Sequence, residues 1–174
     1  DELGPLQGSF GAVNGPAGAL VAVFGYNDGT IRPGTAYGTV ASGIRRSTSA
    51  EFTSEDAYVL VDGAGTPRFP IRAGTDAASV ANPLTEAEVR AVLEEAFAVL
   101  GRSRAQIRRP LDSRMQASIS MVDTHGAILG VVRSPDGPIF GTDVSLQKAR
   151  TAAFFSNRVA AAQMQAAGGN LAGY

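Results

Sequence analysis

The chain has 174 residues, 44% hydrophobic and 18% charged, a composition typical of a folded globular protein rather than a disordered one. A formal net charge of −1 provides no overall field to attract nucleic acid or acidic membranes, and neither a nucleic-acid-binding signature nor a membrane-spanning apolar stretch is visible. Cysteine is absent and histidine occurs once, which excludes disulfides and thiolate chemistry and argues against a zinc site, because zinc needs several such ligands.

The first 82 residues are rich in glycine, which disfavours helices and predicts an N-terminal extension of strands and loops. Residues 19–26 and 57–62 are apolar enough to form strands. Residues 34–43 fit either a weak strand or a packed loop. Residues 67–72 are expected to return as an edge strand, because prolines at 67 and 70 cannot donate ladder hydrogen bonds.

A helix is predicted from Thr85 to Gly101. Thr85 and Glu88 have the spacing of a capping box, in which each satisfies a free backbone donor of the other residue. Gly101 is expected to end the helix through a left-handed cap. Apolar residues recur at helical spacing and predict one buried face: Val89, Val92, Leu93, Ala96, Phe97 and Leu100.

Strand, turn, strand and helix follow in the second half of the chain. Alternation around Ile119 and Met121 indicates a half-buried strand, and residues 123–126 have turn chemistry, because Asp bonds the backbone two residues on and Gly accepts positive φ. A second strand ends before the Pro-Asp-Gly-Pro segment at 135–138. Thr142 or Asp143 is expected to cap one long final helix, from about 144 to 167.

One spacing occurs twice. Val61-Asp62, Gly65 and Arg72 repeat the pattern of Val122-Asp123, Gly126 and Arg133. A degenerate duplicated hairpin would give this pattern, but so would the ordinary demand of hairpin turns for Asp and Gly, and we favour the second interpretation.

The ordered series in the second half resembles a known family. It consists of Val122-Asp123 and Gly126, then Arg133 at a strand end, then Lys148-Ala149 and Thr151-Ala152 on a helix. This is the VDxxG, Arg and KAxTA series of the GlcG/HbpS-like haem-binding proteins, which include the C-terminal domain of PduO. The resemblance extends from Leu84 to about Ala167, roughly half the chain.

The resemblance implies an α+β, profilin-like fold for residues 83–174: an antiparallel sheet with helices packed on it. It also implies assembly into homo-oligomers. The family's final glycine-rich segment and strand have no counterpart after Gly168, so the sheet is expected to lack one strand. Residues 19–26, a neighbouring subunit or a separate C-terminal companion polypeptide would each complete the sheet. We favour the companion, with this chain as one processed fragment.

Haem is the cofactor that the resemblance implies. Among the candidate iron ligands of this chain, which also include Met115, Met121, Met164, Lys148 and the tyrosines, we choose His125, and Arg133, Lys148, Thr151 and Phe155 are further candidate binding residues. Each has a simpler interpretation as well. His125 fits a solvent-facing turn residue, Lys148 fits an ion pair with Asp143 or Asp123, Thr151 fits a hydroxyl bonded to its own helix, and Phe155 fits a core residue.

Two further sequence features bear on haem. The family histidine that ligates haem in PduO-type relatives lies near the first helix, and residues 84–100 contain no histidine. The arginine-rich segment 102–114 fits a clamp for carboxylates such as haem propionates, or a solvated loop that pairs with Glu94 and Glu95.

Three function hypotheses follow. The first is a module that binds haem or a related small ligand. The second is an accessory subunit, or a processed fragment of a larger assembly, with no haem of its own. The third is an enzyme that acts on an acidic substrate through Arg133 and Lys148.

Overall fold

A computed structural model describes residues 34–168. The ordered elements are a 3₁₀ turn at Val40–Ser42, four strands and three helices. The strands are β1 (Ile44–Arg46), β2 (Tyr58–Leu60), β3 (Ser118–Val122) and β4 (Ile128–Arg133), and the helices are α1 (Glu86–Arg102), α2 (Gly141–Phe155) and α3 (Arg158–Ala166).

The four strands form one antiparallel sheet in the order β1-β2-β4-β3. The predicted α+β class is therefore confirmed. Strands β1 and β2 come from the first 82 residues and share this sheet with β3 and β4. The predicted strand at 19–26 lies outside the described residues. Within residues 34–168, no helix combines the length and apolarity needed to cross a membrane.

Helix α1 begins as predicted and packs on one face of the sheet. Thr85 Oγ1 accepts from the Glu88 amide at 3.2 Å and the Glu88 carboxylate accepts from the Thr85 amide at 2.8 Å, which completes the capping box. Burial of Val89, Leu93, Phe97 and Leu100 confirms the apolar face. This face meets the strands in a core completed by Phe52, Ala57, Val59, Val61, Leu129 and Val132.

Two details of α1 differ from the sequence prediction. Val92 is exposed, because it lies at the edge of the apolar stripe and not over the sheet. The helix also continues past Gly101 to Arg102 and ends without a left-handed residue. The Ser103 amide donates to the carbonyls of Val99 and Leu100, so the last turn closes through ordinary helical bonds.

Helix α2 covers the opposite face of the sheet. The side chains of Ser120 on β3 and Ser145 on α2 are hydrogen-bonded, and Leu146 of α2 is buried. Gly130 of β4 lies on the α1 face, where an added Cβ would come within 2.7 Å of Leu93 Cδ1. Alternation along the strand places its neighbour Val131 on the α2 face.

The predicted single helix at 144–167 is wrong in both its start and its continuity. The helix begins at Gly141 after Phe140, and neither Thr142 nor Asp143 caps it. Helix α2 ends at Phe155, and Ser156 is its C-cap. Asn157 is the N-cap of α3, and its side chain accepts a hydrogen bond from the Val159 amide. This N-cap satisfies one of the backbone donors that the interruption leaves free.

The segments at 34–43 and 67–72 are loops rather than strands. Residues 34–43 form a loop that contains the 3₁₀ turn. None of its residues is buried, so the segment is not a strand and is mostly exposed rather than packed. Residues 67–72 make one isolated β-bridge, in which Pro67 pairs with Val61. At the end of the segment, the Arg72 amide donates a hydrogen bond to the Leu129 carbonyl. The prolines explain why no regular ladder forms.

The two Asp-x-x-Gly turns have the same hydrogen bonds. Asp62 Oδ1 accepts from the amides two and four residues on, and Asp123 Oδ1 does the same. Gly65 and Gly126 both have positive φ, at 85° and 78°. A shared turn geometry is therefore enough to explain the repeated spacing.

The loop between β1 and β2 is held by an ion pair that makes stability depend on pH. Arg45 donates to both carboxylate oxygens of Glu51, at 2.9 and 2.7 Å, and the Thr48 amide donates to one of them. The hydrogen bond from Arg45 is the largest cause that lowers the pKa of Glu51 to about 2. A lowered pKa stabilises the fold above the unfolded value near 4.5, and this contribution is lost as the pH falls towards 2.

We expect Glu51→Gln to lower the free energy of unfolding at pH 7 by about 1.5–3 kcal/mol, the usual range for hydrogen bonds to a charged group. Urea unfolding at pH 7 and pH 2.5 checks this, and the difference between variant and wild type should shrink at the lower pH. Glu95→Gln is the control, because its pair with Arg102 is exposed and contributes little. Equal losses in both variants would contradict the prediction.

Candidate functional site

Arg133 is the last residue of β4 and is the most unusual side chain in the described structure. It lies opposite Ser118 of β3 and Tyr58 of β2, and only 1% of it is exposed. The strand stops here because Pro135 and Pro138 lack ladder donors. The chain then turns back, so that the Gly137 carbonyl accepts from Arg133 Nη2.

The guanidinium of Arg133 is only partly satisfied. Its Nε and Nη1 atoms are buried and have no hydrogen-bond partner in the described structure. A guanidinium has five N–H groups, and the Gly137 carbonyl occupies one of them, so one edge keeps two parallel donors. A buried cation without an anion is costly, and a bound carboxylate or phosphate would offset that cost.

A groove of about 380 Å³ lies at Arg133. Its charged lining residues are Arg133, Arg108 and Asp136. The last two form an ion pair: Arg108 Nη1 lies 2.5 Å from Asp136 Oδ2, and Nη2 donates to the Asp136 carbonyl at 2.9 Å. The remaining lining is mostly apolar and consists of Tyr37, Pro135, Gly137, Pro138 and Ile139.

Tyr37 forms the cover of this groove. Its ring centroid lies 6.0 Å from the Arg133 guanidinium carbon and 5.7 Å from the Tyr58 ring, and the side chain is 47% exposed. Burial raises the pKa of Tyr37 above its usual value, against the lowering influence of the Arg133 charge. Among residues 34–168, no carboxylate forms an ion pair with Arg133.

No family model matches the chain, and neither a curated protein nor a solved structure matches it.

His125 lies at the other end of the β3–β4 hairpin. It is exposed, its ring Nε2 is within hydrogen-bonding distance of Ser79 Oγ, and the adjacent strand β4 separates the turn from Arg133 by about 17 Å. A compact ligand bound at Arg133 therefore does not reach His125 of the same chain. Among residues 34–168, no group of three or more His, Asp or Glu side chains is arranged to hold a metal ion.

The turn that carries His125 is fixed by reciprocal hydrogen bonds to the loop before α1. The Thr75 amide and hydroxyl donate to Asp123 Oδ2 at 2.9 and 2.7 Å, and the Thr124 amide and hydroxyl donate to Asp76 Oδ2 at 3.1 and 2.7 Å. These bonds from Thr124 lower the pKa of Asp76. The position of His125 is thus explained by a structural link between two loops.

The predicted binding residues on α2 do not line the Arg133 groove. Lys148 and Thr151 are exposed, and Lys148 makes no ion pair with Asp143 or Asp123. Phe155 is 65% exposed and packs edge-to-face on Phe154 with the ring centroids 5.2 Å apart, so it is not a core residue. The structure therefore places Arg133 apart from the other four predicted residues.

The arginine-rich segment 102–114 contributes to the groove through Arg108. The expected pairing with the α1 carboxylates holds only for Arg102, which lies 3.5 Å from Glu95, while Glu94 accepts from the Thr53 amide and hydroxyl. Tyr37 and Asp136 were not predicted as site residues, because nothing in a glycine-rich loop or a turn indicates that it will cover a distant arginine.

Two other grooves contain no buried cation, although one of them is lined by Asp76, whose Oδ1 is buried without a hydrogen-bond partner. One of about 500 Å³ runs between α1 and residues 114–116. Of its three acidic lining residues, Glu94 is hydrogen-bonded to Thr53, Glu95 is paired with Arg102, and Asp56 is exposed. Another of about 320 Å³ lies between the Asp76–Thr124 link and the end of α2. The unsatisfied cation makes the Arg133 groove the candidate site.

Proposed function

We propose that this protein is a small-ligand-binding module and that the Arg133 groove holds the anionic group of the ligand. The observation that carries the proposal is the buried Arg133 guanidinium with two unpartnered nitrogens beside an open groove. A bound anion supplies the partner that these donors lack, in surroundings where a charge-assisted hydrogen bond is strong.

The size of the groove favours a compact ligand. About 380 Å³ lies at the lower end of the range for small-molecule sites, so an organic acid fits better than a complete porphyrin. Haem, the cofactor that the family resemblance implies, would reach Arg133 only with one propionate, while its ring remained outside. Haem binding through His125 would use a different site, at the 123–126 turn, and is a separate proposal.

Access to Arg133 runs past Tyr37. The ring covers the guanidinium but is half exposed, and rotation of one exposed aromatic side chain occurs on the picosecond-to-nanosecond timescale. Outward rotation of Tyr37 opens the donors to the groove.

Calorimetric titration with benzoate, with phenyl phosphate and, separately, with haem tests the proposal. We expect heat of binding with at least one of the small anions, and at least a tenfold loss of affinity in Arg133→Gln. Arg72→Gln is the matched control, because Arg72 follows the equivalent turn but is exposed. Circular dichroism and urea unfolding of both variants separate lost binding from lost folding, and Arg133→Lys retains the charge if the glutamine variant fails to fold.

Absence of any binding heat up to millimolar ligand would contradict a ligand-binding role for this groove. A Soret shift with haem that survives Arg133→Gln but not His125→Ala would move the site to the 123–126 turn.

An accessory role in a larger assembly is the second candidate, and one specific observation favours it. Strand β3 is an edge of the sheet in the described structure, pairing only with β4. An edge strand offers free backbone donors and acceptors to a strand from another chain, as homo-oligomer or companion polypeptide. Sedimentation velocity of Ser120→Pro against wild type tests this, and assembly that is unchanged by the proline would exclude the β3 edge.

A further inference from the structure

We propose that the Arg133 groove selects a monocarboxylate on a compact apolar or aromatic body, in preference to phosphates and dicarboxylates. This inference rests on the proposed function of the groove as an anion site. It adds the chemical class of the ligand and identifies Asp136 as the residue that sets the charge selectivity.

The first step concerns the charge that the groove presents. Its ionisable lining residues are Arg133, Arg108 and Asp136, together with the neutral phenol of Tyr37. Arg108 and Asp136 neutralise one another through their ion pair. The net charge of the lining is therefore +1, and it is concentrated on the buried guanidinium of Arg133.

The second step concerns the anion. A carboxylate carries one negative charge over two coplanar oxygens, which match two parallel N–H groups on one guanidinium edge. A phosphate monoester carries nearly two charges above pH 7, since its second pKa is about 6. The Asp136 carboxylate would repel this second negative charge. Arg108 would not offset the repulsion, because it is already paired with Asp136.

The third step concerns the body of the ligand. Beside Arg133, the groove walls are the ring of Tyr37, the rings of Pro135 and Pro138, and the side chain of Ile139, which is largely exposed. An apolar group that contacts these residues removes their surface from water along with its own. A compact ring or branched chain next to the carboxylate satisfies both parts of the site.

The experiment compares benzoate with phenyl phosphate at pH 8, because these probes share one ring and differ in the anion. We expect calorimetry of wild-type protein to give at least tenfold tighter binding of benzoate. Asp136→Asn removes the negative charge beside Arg108 and raises the charge of the lining to +2, and we expect the benzoate preference to fall at least fivefold. Asp112→Asn is the matched control. Asp112 is an exposed carboxylate in the arginine-rich segment 102–114, which also contains Arg108, and its substitution should leave the preference unchanged.

Arg108→Gln provides an independent variant on the same exposed loop. It removes the partner of Asp136, lowers the net charge of the lining to zero, and should weaken phenyl phosphate more than benzoate. A preference that is absent in wild type, or that is the same in Asp136→Asn and wild type, would overturn the monocarboxylate inference while anion binding at Arg133 stands. Failure of both probes to bind would overturn both proposals.

Discussion

Phe97→Ala is expected to lower the free energy of unfolding by about 3–5 kcal/mol, the usual range for removing a buried aromatic ring. Phe97 lies on the sheet-facing side of α1, is 4% exposed and belongs to the core cluster shared with β2 and β4. The alanine leaves a cavity among side chains that are fixed by the sheet and cannot close around it.

Urea unfolding monitored by circular dichroism measures this loss, with Val99→Ala as the control on the same helix. Val99 is 48% exposed, so its truncation should change the free energy of unfolding by about 0.5 kcal/mol or less. A loss below about 1 kcal/mol for Phe97→Ala would mean that the apolar face of α1 does not form the core.

Asp123→Ala should destabilise the protein by about 3–5 kcal/mol, because it removes the acceptor of four hydrogen bonds at one buried point. Asp123 accepts from the amides of His125 and Ala127 and from the amide and hydroxyl of Thr75. Burial alone would raise the pKa of Asp123, but the hydrogen bonds, led by those from Thr75, lower it below its usual value.

The chain contains its own control for this variant. Asp62 makes the same two turn hydrogen bonds but is exposed and has no link to a distant loop, so Asp62→Ala should cost only about 1 kcal/mol. Because the pKa of Asp123 is lowered on folding, its contribution is present above the unfolded value near 3.9 and is lost as the pH falls below it. Equal costs for Asp123→Ala and Asp62→Ala at pH 7 would show that the Thr75 link contributes nothing to stability.

Helix α1 and the two Asp-x-x-Gly turns were predictable because short-range interactions specify them. The Thr85–Glu88 capping box joins residues three apart, and an apolar period of 3.6 selects the buried face of the helix. The 123–126 turn needs only an Asx acceptor and a glycine at positive φ. Helical periodicity does not reveal the break between α2 and α3, because Ser156 and Asn157 interrupt an otherwise helix-favouring segment only weakly, although Asn157 is a typical N-cap residue.

The resemblance to the GlcG/HbpS-like family predicted Arg133 as a binding residue together with four others. The structure places those four residues outside the Arg133 groove. His125 is at the far end of the hairpin, and Lys148, Thr151 and Phe155 are exposed on α2. Spacing along a chain gives the order of motifs, whereas the strand register decides which side chains meet.

Composition, periodicity and turn residues were sufficient for the α+β class, the start and buried face of α1, and the hairpin at 119–133, because each depends on contacts within a few residues. The burial of Arg133, its cover by Tyr37 and the Arg108–Asp136 pair were decided only by the tertiary structure. These groups come from segments about 25 to 100 residues apart, and they meet because the sheet order β1-β2-β4-β3 places Tyr58 beside Arg133. Pairing at that distance depends on the packing of the whole core, which no local pattern encodes.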